Sequence, residues 1–147
     1  MEPYRGAVVG SEVDCSVVVV ALRGAVVGLE RATGQIRWDN ELVGGGGAEV
    51  AIGFRYGVLA VSAAGGLLYR LDYLTGATLW HSPTTSAGRA TILVEHDLII
   101  VGKGGYLDAF DHGGRRVWQQ KLAGKGMGRL ALAVPGNVAQ ADDPGGE

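Results

Sequence analysis

The chain has one cysteine, Cys15. A single thiol can neither close an intramolecular disulfide nor supply the paired thiolates of a structural zinc site. It flanks an apolar run, so a buried structural thiol is expected there. Long hydrophobic stretches are missing too: the longest aliphatic run, Val17 to Leu22, is far too short to span a bilayer. The start, Met1-Glu2-Pro3-Tyr4-Arg5-Gly6, lacks the basic residues and apolar core of a signal peptide. As written, the chain is expected to be soluble and cytoplasmic with no membrane insertion; were it an excerpt, the periplasm or the exterior would be open to it. There is no excess of positive charge either. With 13 Lys and Arg against 15 Asp and Glu, the net charge of −2 argues against a nucleic-acid binder working by phosphate neutralisation. Arg115, Arg116, Lys125 and Arg129 make the last third locally basic, and a solvated surface accounts for them.

Helical periodicity is also wanting: apolar runs are short and bounded by glycine throughout. Glycine is abundant, with 26 residues spread between those runs, as in an all-β protein with many tight turns. At 47% hydrophobic and 19% charged, 147 residues suffice for one globular domain with a core.

One short stretch occurs three times. Its clearest copy is Arg70-Leu71-Asp72-Tyr73-Leu74-Thr75-Gly76-Ala77-Thr78-Leu79-Trp80. An earlier copy carries Glu30, Thr33, Gly34 and Trp38, and a later one Asp111, Gly114 and Trp118. Each Trp follows its turn glycine by four residues, and positions 38, 80 and 118 lie 42 and then 38 residues apart. Such self-similarity signals a repeat architecture. The acidic residue heading the turn can accept hydrogen bonds from turn amides, and glycine takes the positive φ that closes it. The Trp offers a large apolar plate between neighbouring sheets.

Around the motif the sequence divides into four-strand meanders. The first has strands at Ala7-Val8-Val9, Ser16 to Leu22, Ala25 to Glu30 and Gln35 to Glu41, with Gly44 to Gly47 as a flexible passage. The second runs Ala48 to Phe54, Val58 to Ala63, Leu67 to Asp72 and Ala77 to Ser82; the third Ala90 to Glu95, Leu98 to Gly102, Tyr106 to Asp111 and Arg115 to Leu122. A fourth supplies two strands, Arg129 to Val134 and Val138 to Ala141. Connections this short make neighbours in sequence neighbours in space.

The motif resembles the β-propeller repeat of pyrroloquinoline-quinone (PQQ) enzymes and their cofactor-free relatives, whose blades end roughly in Ala-x-Asp-x-x-Thr-Gly-x-x-x-Trp. Leu71-Asp72, Thr75-Gly76 and Trp80 match it closely. The first copy has Glu30 for the Asp, and the third shortens the turn by one residue and loses the Thr. The resemblance implies an all-β propeller segment in one domain, 1–147, with blades at about 7–43, 48–84 and 89–123 and a half-blade at 129–142. As a monomer it would be an open arc, which a homodimer or continuation in a longer propeller would complete.

No constellation points to catalysis. Quinone enzymes, by the resemblance, hold a calcium-bound cofactor on the propeller axis with an acidic base and often a vicinal cysteine pair. Here Asp14, Asp97 and Asp108 sit near strand ends, where carboxylates usually cap turns. His81, His96 and His112 lack short metal-ligand spacing, although His96 and His112 fall on loops of one face of one blade. Gly124-Lys125-Gly126-Met127-Gly128 is followed by a strand and no Ser or Thr, unlike a phosphate loop. The expectation is a non-catalytic protein-interaction scaffold with no cofactor, no metal and a protein partner. A sensor or ligand-binding module of a larger signalling protein is the alternative, with a fragment of a quinoprotein dehydrogenase behind it.

Overall fold

The computed structural model describes residues 14–47, 49–122 and 130–139. Glycine-bounded runs of Val, Ile and Leu leave the backbone only short extended pieces, and the described chain is all strand and turn. Four antiparallel sheets follow one another in sequence. The first has β1 (Val17–Leu22), β2 (Ala25–Glu30) and β3 (Ile36–Asn40). The second has β4 (Val50–Arg55), β5 (Val58–Ala63), β6 (Leu67–Leu71) and β7 (Thr78–Pro83). The third has β8 (Thr91–Val94), β9 (Ile99–Lys103), β10 (Tyr106–Phe110) and β11 (Arg116–Lys121). The last is the hairpin β12 (Leu132–Val134) and β13 (Asn137–Ala139). Every sheet is an up-and-down meander with sequential neighbours paired.

These are propeller blades in an open arc. β4 packs on β8, and β8 on β12 and β13, so the first strands of successive blades meet at the inside. β5 and β8 are buried throughout their length, while β11 is exposed throughout. Two apolar cores lie between blades. Val17, Val26 and Trp38 of the first blade meet Leu59, Val61, Tyr69 and Leu71 of the second. Val58, Ala60 and Leu68 of the second meet Ile92, Ile99, Val101 and Phe110 of the third. Each blade thus buries one face against each neighbour, as stacked repeats require.

Several expectations are corrected. Cys15 is exposed, because it precedes β1 in the turn where Asp14 Oδ1 accepts the Ser16 amide at 2.8 Å. Asp108 is a buried mid-strand residue of β10 and caps no turn. The chain entering the Gly44 passage is anchored at Leu42, which is buried, and Tyr69 Oη donates to the Leu42 and Val43 carbonyls at 3.1 and 2.8 Å. Strand ends shift by a residue or two. The expected strand at Ala7-Val8-Val9, and Lys125, Arg129 and the glycine run between them, lie outside the described residues.

Candidate interaction interface

The three repeated turns fold alike. In each, the acidic residue leaves the strand, the glycine takes positive φ (Gly34 78°, Gly76 76°, Gly114 97°) and the next strand returns through a register shift. Asp72 Oδ2 accepts from the Thr75 amide and hydroxyl at 2.9 and 2.8 Å. Asp111 Oδ1 accepts from the amides of Gly113 and Arg115, both at 3.0 Å, and these bonds hold its carboxyl below the usual range. Thr33 Oγ1 accepts from the Gln35 amide at 3.2 Å, and Glu30 pairs with Arg37 at 3.4 Å. The amides of Gly34 and Gly76 reach back four residues to Glu30 and Asp72, that of Gly114 only three to Asp111, which is the one-residue shortening.

Sequence alone did not say where each Trp goes. Trp38 and Trp80 dock on the turn glycine of the next blade, and Trp38 also covers Gly28, its cross-strand neighbour in β2. The indole of Trp38 lies against Gly76, where an added Cβ would stand 2.3 Å from Cε3. Its Nε1 donates to the Tyr73 carbonyl at 2.9 Å. Two residues on, Asn40 Nδ2 donates to the Gly76 carbonyl at 2.8 Å. The next interface repeats the arrangement. Trp80 lies on Gly114, its Nε1 donates to the His112 carbonyl at 2.8 Å, and Ser82 Oγ donates to the Gly114 carbonyl at 2.7 Å. Trp38 is 7% exposed and Trp80 half-buried, but Trp118 is 40% exposed. At the opposite end of the series, nothing lies within 4 Å of a Cβ placed on Gly34.

The matching family model is that described as outer membrane protein assembly factor BamB, over residues 2–143. The chain belongs to that PQQ-like repeat family. Solved structures share its fold. BamB from Moraxella catarrhalis is 24% identical with a TM-score of 0.62, over 86% of this chain and 44% of that one. The computationally designed Ika4 protein is 18% identical with a TM-score of 0.69, over 88% and 81%. The quinohemoprotein alcohol dehydrogenase of Comamonas testosteroni is 24% identical with a TM-score of 0.59, over 75% and 20%. The chain thus spans less than half the length of that BamB. No curated protein matches the chain in sequence.

Other polar groups serve the same interfaces. Tyr73 Oη donates to the Val17 carbonyl at 2.7 Å and accepts the Val17 amide at 2.9 Å. Between the second and third blades, Asp108 binds Arg116 at 3.1 Å and the Thr85 hydroxyl and amide at 2.5 and 2.8 Å. Lys103, 2% exposed, donates from Nζ to the Ala63 carbonyl at 3.0 Å. Burial lowers its pKa to about 8, with Asp108 pulling the other way. His112 and His96 do share a blade face: the His112 ring nitrogen Nε2 meets the Glu95 carbonyl at 2.8 Å, beside His96. Among the described residues, no three of His, Cys, Asp and Glu converge as metal ligands. On the inner side, β4 and β8 line a cleft of about 720 Å³, with Arg55, Thr91 and Asn137 at its wall.

Proposed function

We propose that this chain is a non-catalytic scaffold that holds another polypeptide against its blades. One observation carries the reading. The surfaces that blades bury against each other at the filled interfaces stay accessible at Trp118 on one side and at Val18 and Leu22 on the other. Large apolar side chains left exposed on blade faces mark protein contact sites. The family description, an assembly factor, supports the same role. Capture with the immobilised chain and with the variant Val18→Asp/Leu22→Asp, quantified by mass spectrometry, tests it. Specific proteins retained by the first and lost with the second are expected; identical lists from both would remove the scaffold role.

The inner cleft favours a second reading, a ligand-binding sensor module, since concave sites of this volume accommodate small molecules. A thermal-shift screen separates the two: stabilisation by a small molecule, abolished by Asn137→Leu at the cleft wall, would favour the sensor. Dye-linked alcohol oxidation with added quinone and calcium checks the enzyme reading, and no turnover is expected.

A further inference from the structure

We propose that the inner cleft binds an extended acidic peptide, which adds a strand to the inner edge of β4. This rests on the ligand-binding reading and deepens it, naming as the ligand a polypeptide segment with carboxylates at both ends.

β4 and β8 each pair with a single strand, β5 and β9, so each leaves one edge of its sheet open. All six residues of β4 and all four of β8 line the cleft. An antiparallel ladder turns the backbone groups of alternate residues toward the paired strand and those of the others away. The Ala64 amide donates to the Glu49 carbonyl at 3.1 Å, which turns Glu49, and with it Ala51 and Gly53, toward β5. Val50, Ile52 and Phe54 therefore present their amides and carbonyls to the cleft. Among the described residues no group bonds to them there.

The edge of β8 shows what such groups accept. The Glu95 amide donates to the Leu98 carbonyl at 2.7 Å, so Leu93 faces β9 while Ile92 and Val94 face away from it. On that side the Val94 carbonyl accepts from Asn137 Nδ2 at 2.8 Å. A side-chain amide does there what a peptide amide would do along β4. An open edge of this kind binds an extended segment by main-chain hydrogen bonds, and the flanking side chains select its sequence.

The selection is for negative charge at the ends. Among the described residues the charged groups of the cleft wall are Arg23, Arg55 and Arg89 against Glu49. Glu49 is paired with Arg89 at the end where β4 and β8 begin. Arg23 stands at that end too, since a Cβ on Gly24 would lie 3.1 Å from the Gly46 carbonyl. It forms no ion pair among the described residues. Arg55 closes the other end, 3.9 Å from the Glu95 carboxylate. Between the two ends the walls are apolar, with Ala21 and Leu22 on one side and Val138 and Ala139 on the other. The matching strand has small or β-branched residues in its middle and acidic ones at its ends. A small dicarboxylate would meet the arginines and leave the row of backbone groups between them unused.

The probe is a labelled hexapeptide, Glu-Val-Ala-Val-Ala-Glu, titrated into the 147-residue protein by fluorescence anisotropy. Saturable binding is expected, weakened at least about tenfold by lysines in place of the two glutamates, by Arg23→Glu, and by N-methylation of the interior amides. The N-methylated peptide keeps every side chain, so it reads main-chain pairing alone and needs no protein variant. Amide exchange locates the strand: Val50, Ile52 and Phe54 should slow in the complex, while Ala51 and Gly53, already bonded to β5, should not change. Equal affinity for the N-methylated peptide would overturn the proposal, as would an acidic peptide that does not bind. So would full displacement of the peptide by succinate, since the cleft would then hold carboxylates and no strand. A small molecule found by thermal shift and lost in Asn137→Leu, with no peptide bound, would keep the ligand-binding reading and remove this one.

Discussion

Trp38 lies flat on Gly76 of the next blade, and its indole nitrogen is bonded to the carbonyl of Tyr73 in the same turn. The contact explains two features of the repeat at once. Gly76 is required for its positive φ of 76° and again because no side chain fits beneath the ring. The three repeat glycines therefore differ in cost, since Gly34 has the same backbone conformation and open space above it. We expect Gly76→Ala to destabilise by roughly 3–4 kcal/mol, combining left-handed strain with overpacking. Gly34→Ala should cost only about 1 kcal/mol, the strain alone. Urea midpoints of the two variants check this, and equal losses would mean the indole yields freely.

The tryptophans divide in the same way. Trp38→Ala and Trp80→Ala each remove a docked ring and should cost about 3–5 kcal/mol. Trp118→Ala should cost under about 1 kcal/mol, as expected at an exposed site. Equilibrium unfolding of the three variants gives the ranking, and a large loss at Trp118 would place that ring in the folded core.

Tyr73 ties the first blade to the second through both backbone groups of buried Val17, while its ring stacks on Phe54 at 4.9 Å. Tyr73→Phe keeps the ring and strips both bonds, leaving polar groups of Val17 unpaired. A loss of roughly 1–3 kcal/mol is expected. Amide exchange at Val17 should quicken in the variant, and unchanged protection there would show that the hydroxyl is dispensable.

Lys103 gives the fold a pH dependence of definite sign. Its folded pKa of about 8 lies below the 10.5 of the unfolded chain. Between those values the unfolded state binds more protons, so stability rises with pH. Below about pH 8 the cost of burying the ammonium is present in full. Burial raises the pKa of Tyr69 and Tyr73, which lowers stability above about pH 10, so the gain is read between pH 8 and 10. A gain on the order of 2 kcal/mol over that range is expected, because one proton's difference between the two states is worth about 1.36 kcal/mol for each pH unit crossed. Lys103→Met should flatten it. A wild-type profile that falls over the same range would show that the ammonium is solvated.

The Asp108 site was hidden from sequence reading for a physical reason. A carboxylate near a glycine-bounded strand end ordinarily caps a turn, and only the path of the connection between β7 and β8 brings Thr85 to Asp108. Lys103 was equally silent, because its acceptor, the Ala63 carbonyl, belongs to the preceding blade. Cys15 misled because adjacency to the β1 run says nothing about which residue first enters the pleat.

What is local and periodic was legible in the chain itself: the strands, the acid-x-x-Thr-Gly turns around Gly34 and Gly76, and the shortened turn at Gly114. These follow from backbone sterics and side-chain bonds spanning a few residues, which any copy of the stretch carries with it. The partnerships emerged only when the blades were packed together. Trp38, Trp80 and Trp118 each follow their own turn glycine by four residues, yet the first two dock on Gly76 and Gly114, turns of the next blade, and the third is exposed. Packing between blades is a property of pairs of repeats, and no single repeat encodes it.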